Sequence, residues 1–134
     1  MTIQNFWLKQ SKLIHWHKNP SFAFKKKNNN FVEWYPDGKV NIFHNCVTKN
    51  LELNLGKKIA IYFVNENKEI KSYTYEELNE NVNIFSNKIL YILKNQEISK
   101  SKIIIHSSAS IEATIAMLTC AKLGIHFSVI FEDL

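Results

Sequence analysis

Ser107-Ser108-Ala109-Ser110 lies between an apolar run and an alanine-rich stretch, where a strand-to-helix loop could cradle a phosphate. Such a loop offers backbone N–H groups and hydroxyls to an anion. Closing round a phosphate also takes glycine, and this loop has none. The three serines fit helix capping better. Neither GxxxxGKS, GxxxxGKT nor GxGxxG occurs in the chain. His106 and His126 each sit in an apolar run, which fits a satisfied core or edge histidine better than an acid–base pair. Cys46 and Cys120 are far apart and outside any CxxC, so neither a disulfide framework nor a zinc site follows. Cys120 falls among Leu118, Ala121 and Leu123 and reads as inert packing. His15 and His17 flank Trp16, but nothing near them supplies a third metal ligand. No Ser-His-Asp or Cys-His constellation is assignable.

Regular elements must hold these residues. Asn5 to Ile14 carries an aromatic stripe with Asn5 as a candidate N-cap. Residues 20–30, with Lys25-Lys26-Lys27 beside three asparagines, read as a solvated loop. Phe31–Tyr35 and Lys39–Ile42 read as short strands around a Pro36-Asp37-Gly38 turn. A helical turn from His44 should reach Leu53, with Gly56 as its stop. Lys58–Val64 is a continuous apolar run, the pattern of a strand buried on both faces, and Ile70–Thr74 should pair with it as a hairpin. Thr74-Tyr75-Glu76-Glu77 is a capping box, which explains the two glutamates better than catalysis does. It opens a helix to about Asn95, whose buried stripe is Leu78, Val82, Phe85, Ile89 and Leu93. Lys102–His106 (strand), Ile111–Leu123 (helix, closed by Gly124) and Ile125–Phe131 (strand) then give a βαβ pattern. The chain stops three residues later, so the sheet reads as cut midway.

At 134 residues and 46% hydrophobic content, the chain holds at most one ordinary domain with a real core. Its net charge is +5, and every basic residue among the 17 is lysine. The abundance of Lys, Asn and Ile fits AT-rich coding better than a nucleic-acid surface. Arginine, the bidentate reader of guanine and phosphate, is absent. No apolar run is long enough to span a bilayer, and residues 1–5 show no signal peptide. A reducing cytoplasmic setting is the expectation.

Trp34–Cys46 combines an aromatic pair, a turn and the polar residues Asn41, His44 and Asn45 among large apolar side chains. It reads as a packed, irregular segment that docks on something larger, with the N-terminal aromatic helix against it.

Taken in order, these segments resemble the N-terminal portion of the AMP-forming acetyl-CoA and propionyl-CoA synthetases, of the acyl-adenylate-forming superfamily. Phe6-Trp7 with Trp16 resembles the family's opening helix. Trp34, Gly38, Asn41, Asn45 and Cys46 resemble its W…GG.lN…NclD segment. Ile59-Ala60-Ile61 is similar to its first buried strand, and Thr74 to Leu78 to its ITYxEL motif. Ile111-Glu112-Ala113 through Met117 to Gly124 resembles the family's alanine-rich helix, and His126–Phe131 its vHsvVF strand.

The resemblance implies an α/β chain. Residues 1–56 would be an N-terminal cap segment, and 57–134 the beginning of a βαβ parallel sheet of an adenylation domain, truncated. It implies a family reaction in which acetate or propionate, ATP and Mg²⁺ give an acyl-adenylate and the acyl group passes to CoA. The family's catalytic motifs lie beyond the matched region, so this chain is expected to carry no catalytic residue, metal or cofactor and to be inactive alone. Phe131 is the one position carried over, since the family's F-G-G at that place lines the CoA entry. Here Glu132 and Asp133 replace the two glycines and would repel CoA phosphates. Thr48, Lys49 and Asn50 replace the family's Asp-Arg-His, Lys100 and Ser101 replace its Gly-Asp, and the proline near Ser107 is missing. The expected partner is the remainder of a split synthetase or a full-length one, with no nucleic acid and no membrane. The alternative is a non-catalytic interaction module that docks on such a synthetase.

Overall fold

Thr2, rather than Asn5, starts the first helix. Its hydroxyl accepts from the Asn5 N–H at 3.3 Å, so the cap falls three residues earlier than the stripe suggests. In the computed structural model, which describes residues 2–28 and 31–130, the helix α1 spans Ile3–Ser11. The chain divides into two compact units, Met1–Asn41 and Ile42–Leu134.

In the first unit, strand β1 (Phe24–Asn28) pairs antiparallel with β2 (Phe31–Trp34). The Lys25-Lys26-Lys27 run is therefore a strand and not the expected loop. Three charged side chains along one strand are a standard guard for an exposed sheet edge. Lys39–Ile42, expected as a strand, contributes only an isolated bridge between Lys18 and Lys39. Gln4 ties α1 to the hairpin: its amide donates to the Phe24 carbonyl and accepts from the Ala23 N–H, both at 2.9 Å. Trp7 meets Trp34 edge to face at 5.3 Å, and the Tyr35 hydroxyl donates to the Trp7 carbonyl at 3.0 Å. The aromatic helix thus packs on the start of the Trp34 segment, as expected. The turn closes through Gly38 N–H to the Tyr35 carbonyl at 2.9 Å, with Tyr35 itself at φ 44°. Asp37 accepts from the Ser21 N–H at 3.1 Å, and bonding by Ser21 holds its carboxyl below the usual range.

The second unit opens with a π-helical turn (His44–Thr48) that runs into the short helix α2 (Lys49–Glu52). Asn54, at φ 58°, takes the left-handed position after this helix. Gly56 has another role. A Cβ there would fall on the Glu76 side chain, 2.7 Å from its Cγ, where the Glu76 N–H donates to the Gly56 carbonyl. Strand β3 (Ile59–Val64) and β4 (Ile70–Thr74) form an antiparallel hairpin. The capping box then starts α3 (Tyr75–Ile92), which ends three residues before the expected Asn95, at the cap Leu93. After a 3-10 turn (Ile98–Lys100), β5 (Lys102–His106), α4 (Ile111–Leu123) and β6 (His126–Ile130) follow. β5 and β6 pair parallel, from Lys102–His126 to His106–Ile130. Gly124 closes α4 at φ 69°. Among the described residues no helix is long and apolar enough to cross a membrane.

Two small cores flank α4. One gathers Phe43, Val47, Leu78 and Val82, with Ala60, Ile115 and Leu118 against them. The other gathers Ile105, Ala113, Cys120 and Ile125, with Met117 and Val129. A helix in contact with both cannot be one-sided, which is why its sequence is apolar all round. The Lys122 ammonium sits over the Phe43 ring and bonds Asn83, fastening α4 to α3. β3 is not buried on both faces: Ile61 and Phe63 face inward, while Tyr62 and Val64 are exposed. The helices cover only one side of the hairpin.

Thr119, in the middle of α4, is fully buried, and its Oγ1 meets no partner among the described residues. Thr119→Val removes an unpaired hydroxyl and keeps the branched shape. It is expected to raise stability by about 1 kcal/mol, seen as a higher melting temperature. A fall would show that the hydroxyl is bonded.

Candidate functional site

Ser107 and Ser110 of the Ser107–Ser110 loop are engaged locally. Ser110 Oγ accepts from the Ala113 N–H at 3.1 Å and lies 3.1 Å from Ser107 Oγ. The Thr114 hydroxyl donates to the Ser110 carbonyl at 3.2 Å. Capping accounts for the loop. Among the described residues no group of three His, Cys, Asp or Glu could hold a metal ion.

His106 and His126 stand at opposite ends of the parallel pair, since Lys102 is opposite His126 and His106 opposite Ile130. Four residues of strand separate them by about 13 Å, too far for concerted proton transfer. Both are exposed edge residues. His15 and His17 meet edge to face at 5.7 Å. Cys120 is buried, and burial pushes its thiol up, away from the reactive thiolate. Cys46 is exposed, and both cysteines are free. Phe131 lies outside the described residues.

The capping box has the geometry its spacing implies. Glu77 N–H donates to Thr74 Oγ1 at 3.2 Å, and Glu77 Oε2 accepts from the Thr74 N–H at 2.8 Å. The Thr74 N–H, then its hydroxyl, hold the Glu77 carboxyl below its ordinary range. Its contribution is therefore complete above the unfolded pKa and is lost as pH falls through the lower folded one. Thr74→Ala is expected to cost about 1 kcal/mol in a urea melt at neutral pH. An unchanged midpoint would show that α3 needs no cap.

The feature sequence reasoning missed is an edge. Asn65 N–H donates to the Glu69 carbonyl at 3.1 Å, so 65 and 69 form a hydrogen-bonded pair of the β3–β4 hairpin. Such pairs alternate along an antiparallel ladder. Phe63–Lys71 and Ile61–Tyr73 are then bonded pairs, and the N–H and C=O of Tyr62 and Val64 point away from β4. An open cleft of about 410 Å³ lies beside β3, lined by Ile61, Tyr62, Phe63 and Val64, with Ser110 and Met117 on its other wall. Consecutive residues of both parities line it, so it runs along the free edge and not over one face. The parity of the Asn65–Glu69 turn was the available signal.

The fold is that of an acyl-CoA synthetase N-terminal region. A solved acetoacetyl-CoA synthetase from Streptomyces lividans matches 96% of this chain and 20% of its own, with a TM-score of 0.72 at 15% identity. The family model for the acetyl-coenzyme A synthetase N-terminus matches residues 2–46. The acetyl-coenzyme A synthetase of Cupriavidus metallidurans is 34% identical over 131 residues, and that of Bartonella henselae 38% over 135. The chain is thus a relative, over nearly its whole length, of the N-terminal portion of the acetyl-CoA synthetases. Each alignment takes in 96% of this chain but only 19% and 20% of those relatives.

Proposed function

We propose that this chain is the N-terminal portion of an AMP-forming short-chain acyl-CoA synthetase, which activates acetate or propionate with ATP and passes the acyl group to CoA. In this reading residues 1–56 form the cap segment and 57–134 begin the adenylation domain. The chain supplies architecture and no catalytic side chain, so it is inactive alone. Phe131 would stand near the CoA entry. Free cysteines and the family fit a reducing cytoplasm.

The observation that carries the reading is the relationship of 96% of the chain to the Cupriavidus metallidurans acetyl-coenzyme A synthetase, of which it spans 19%. The second reading, a non-catalytic module that docks on a synthetase or a separately encoded remainder, is favoured by the exposed apolar side chains Tyr62, Val64 and Ile70 of the β3–β4 hairpin.

The test is ATP–pyrophosphate exchange with acetate and with propionate. It is run on the chain alone and on a chimaera in which the chain replaces the matched fifth of the C. metallidurans enzyme. Background from the chain and exchange from the chimaera are expected. Exchange by the chain alone would end the claim of inactivity. A chimaera that folds and binds ATP without exchange would leave only the docking module.

A further inference from the structure

We infer that the free edge of β3 receives an extended apolar strand from the synthetase body that follows this region in the relatives. The inference rests on the reading above and adds where the body attaches.

Three observations carry it. The outward backbone groups of Tyr62 and Val64 border an open cleft and have no strand partner among the described residues. The adjoining outer face is apolar, with Tyr62 67%, Val64 57% and Ile70 68% exposed and Val64 directly opposite Ile70. Natural edges are guarded by lysine, proline or a bulge. β1 follows that rule with three lysines; β3 has a register irregularity between Ile59 and Ile61, but beyond it Ile61-Tyr62-Phe63-Val64 carries no charge, no proline and an unbroken register. An apolar edge segment without charge or proline invites pairing with another strand. Four residues of strand span about 13 Å, long enough for two outward donors and two acceptors to pair with an added strand. The occupant follows from length: the relatives carry about four fifths of their chain beyond what this chain spans.

The test is residue-resolved hydrogen–deuterium exchange on the full chain and on the chimaera. In the chain, Phe63 should be protected by β4 while Tyr62 and Val64 exchange fast. In the chimaera, the Tyr62 and Val64 amides should slow by about tenfold or more. Val64→Pro removes an outward donor and no ladder bond, so the isolated variant should keep its melting behaviour, whereas the chimaera variant loses about tenfold or more of its exchange activity. Fast Tyr62 and Val64 amides in an active chimaera would overturn the edge and leave the synthetase reading standing. Fast amides in an inactive chimaera would overturn both. Protection in an inactive chimaera would keep the edge and sink the activity. Protection that grows with the concentration of the isolated chain would make a second copy the occupant and overturn the inference, as would an unaffected Val64→Pro chimaera.

Discussion

Leu78→Ala is expected to remove roughly 2–5 kcal/mol from the second unit. Leu78 is 3% exposed at the first inward position of α3, where it meets Phe43, Val47 and Val82. Ala60, Ile61, Ile115, Leu118 and Ala121 close round that cluster, so the π-helical turn, β3, α3 and α4 all depend on one side chain. Truncation loses the transfer free energy and leaves a cavity that elements fixed by the hairpin and the capping box cannot close. A body of about 93 residues is stable by roughly 5–14 kcal/mol. The loss is therefore a large part of the whole, and each kcal/mol lowers the melting temperature by about 4–8 °C. Far-UV circular dichroism in urea is the measurement. A loss under about 1 kcal/mol would show that the core is centred elsewhere.

What was legible in the sequence was local. Thr74 and Glu77 stand three apart, so their reciprocal bonds and the start of α3 follow from spacing alone. β5 and α4 fall on Lys102–His106 and Ile111–Leu123 as read, because Ser110 caps the helix and Gly124 takes a left-handed φ behind it. What was not legible depends on residues far along the chain. Nothing within Lys25-Lys26-Lys27 says that Glu33 and Val32 will lie opposite, so a strand read as a loop. Gly56 resembled a helix stop, yet Asn54 takes that position, and Gly56 lies instead beside the Glu76 side chain.

The apolar run Ile59–Val64 shows the limit most plainly. Period and composition say that both faces can be buried; they do not say what covers the second one. In this chain the helices cover one face, and Tyr62 and Val64 are left outward. The candidate site was therefore half visible. In the serine loop the structure shows Ser110 capping α4 with Ser107 beside it. The β3 edge needed the turn parity.

Gly38→Ala is expected to unfold the first unit under conditions where the parent stays folded. The turn chemistry suggests that Gly38 is there for a positive φ, but Tyr35 carries that strain, and Gly38 is not among the positive-φ residues. Contact decides instead. A Cβ at 38 would lie 2.7 Å from Trp16 Cζ3 and 3.0 Å from Cε3, with Pro20 Cβ at 3.3 Å. The indole cannot simply swing aside. Its N–H donates to the Ser11 carbonyl at 2.8 Å, and its ring meets Tyr35 edge to face at 5.2 Å. Overpacking of this kind costs about 1–3 kcal/mol. A 41-residue body has little to lose, since bodies near that size usually need a staple or a partner to fold. The readout is clean because Trp7, Trp16 and Trp34 are the chain's three tryptophans and all belong to this unit. Their fluorescence should shift red in Gly38→Ala, while Leu78→Ala at the same denaturant concentration is read by its helical signal. A tryptophan spectrum and melt unchanged by Gly38→Ala would mean that Trp16 yields at no cost, and the close approach would not be what holds this turn.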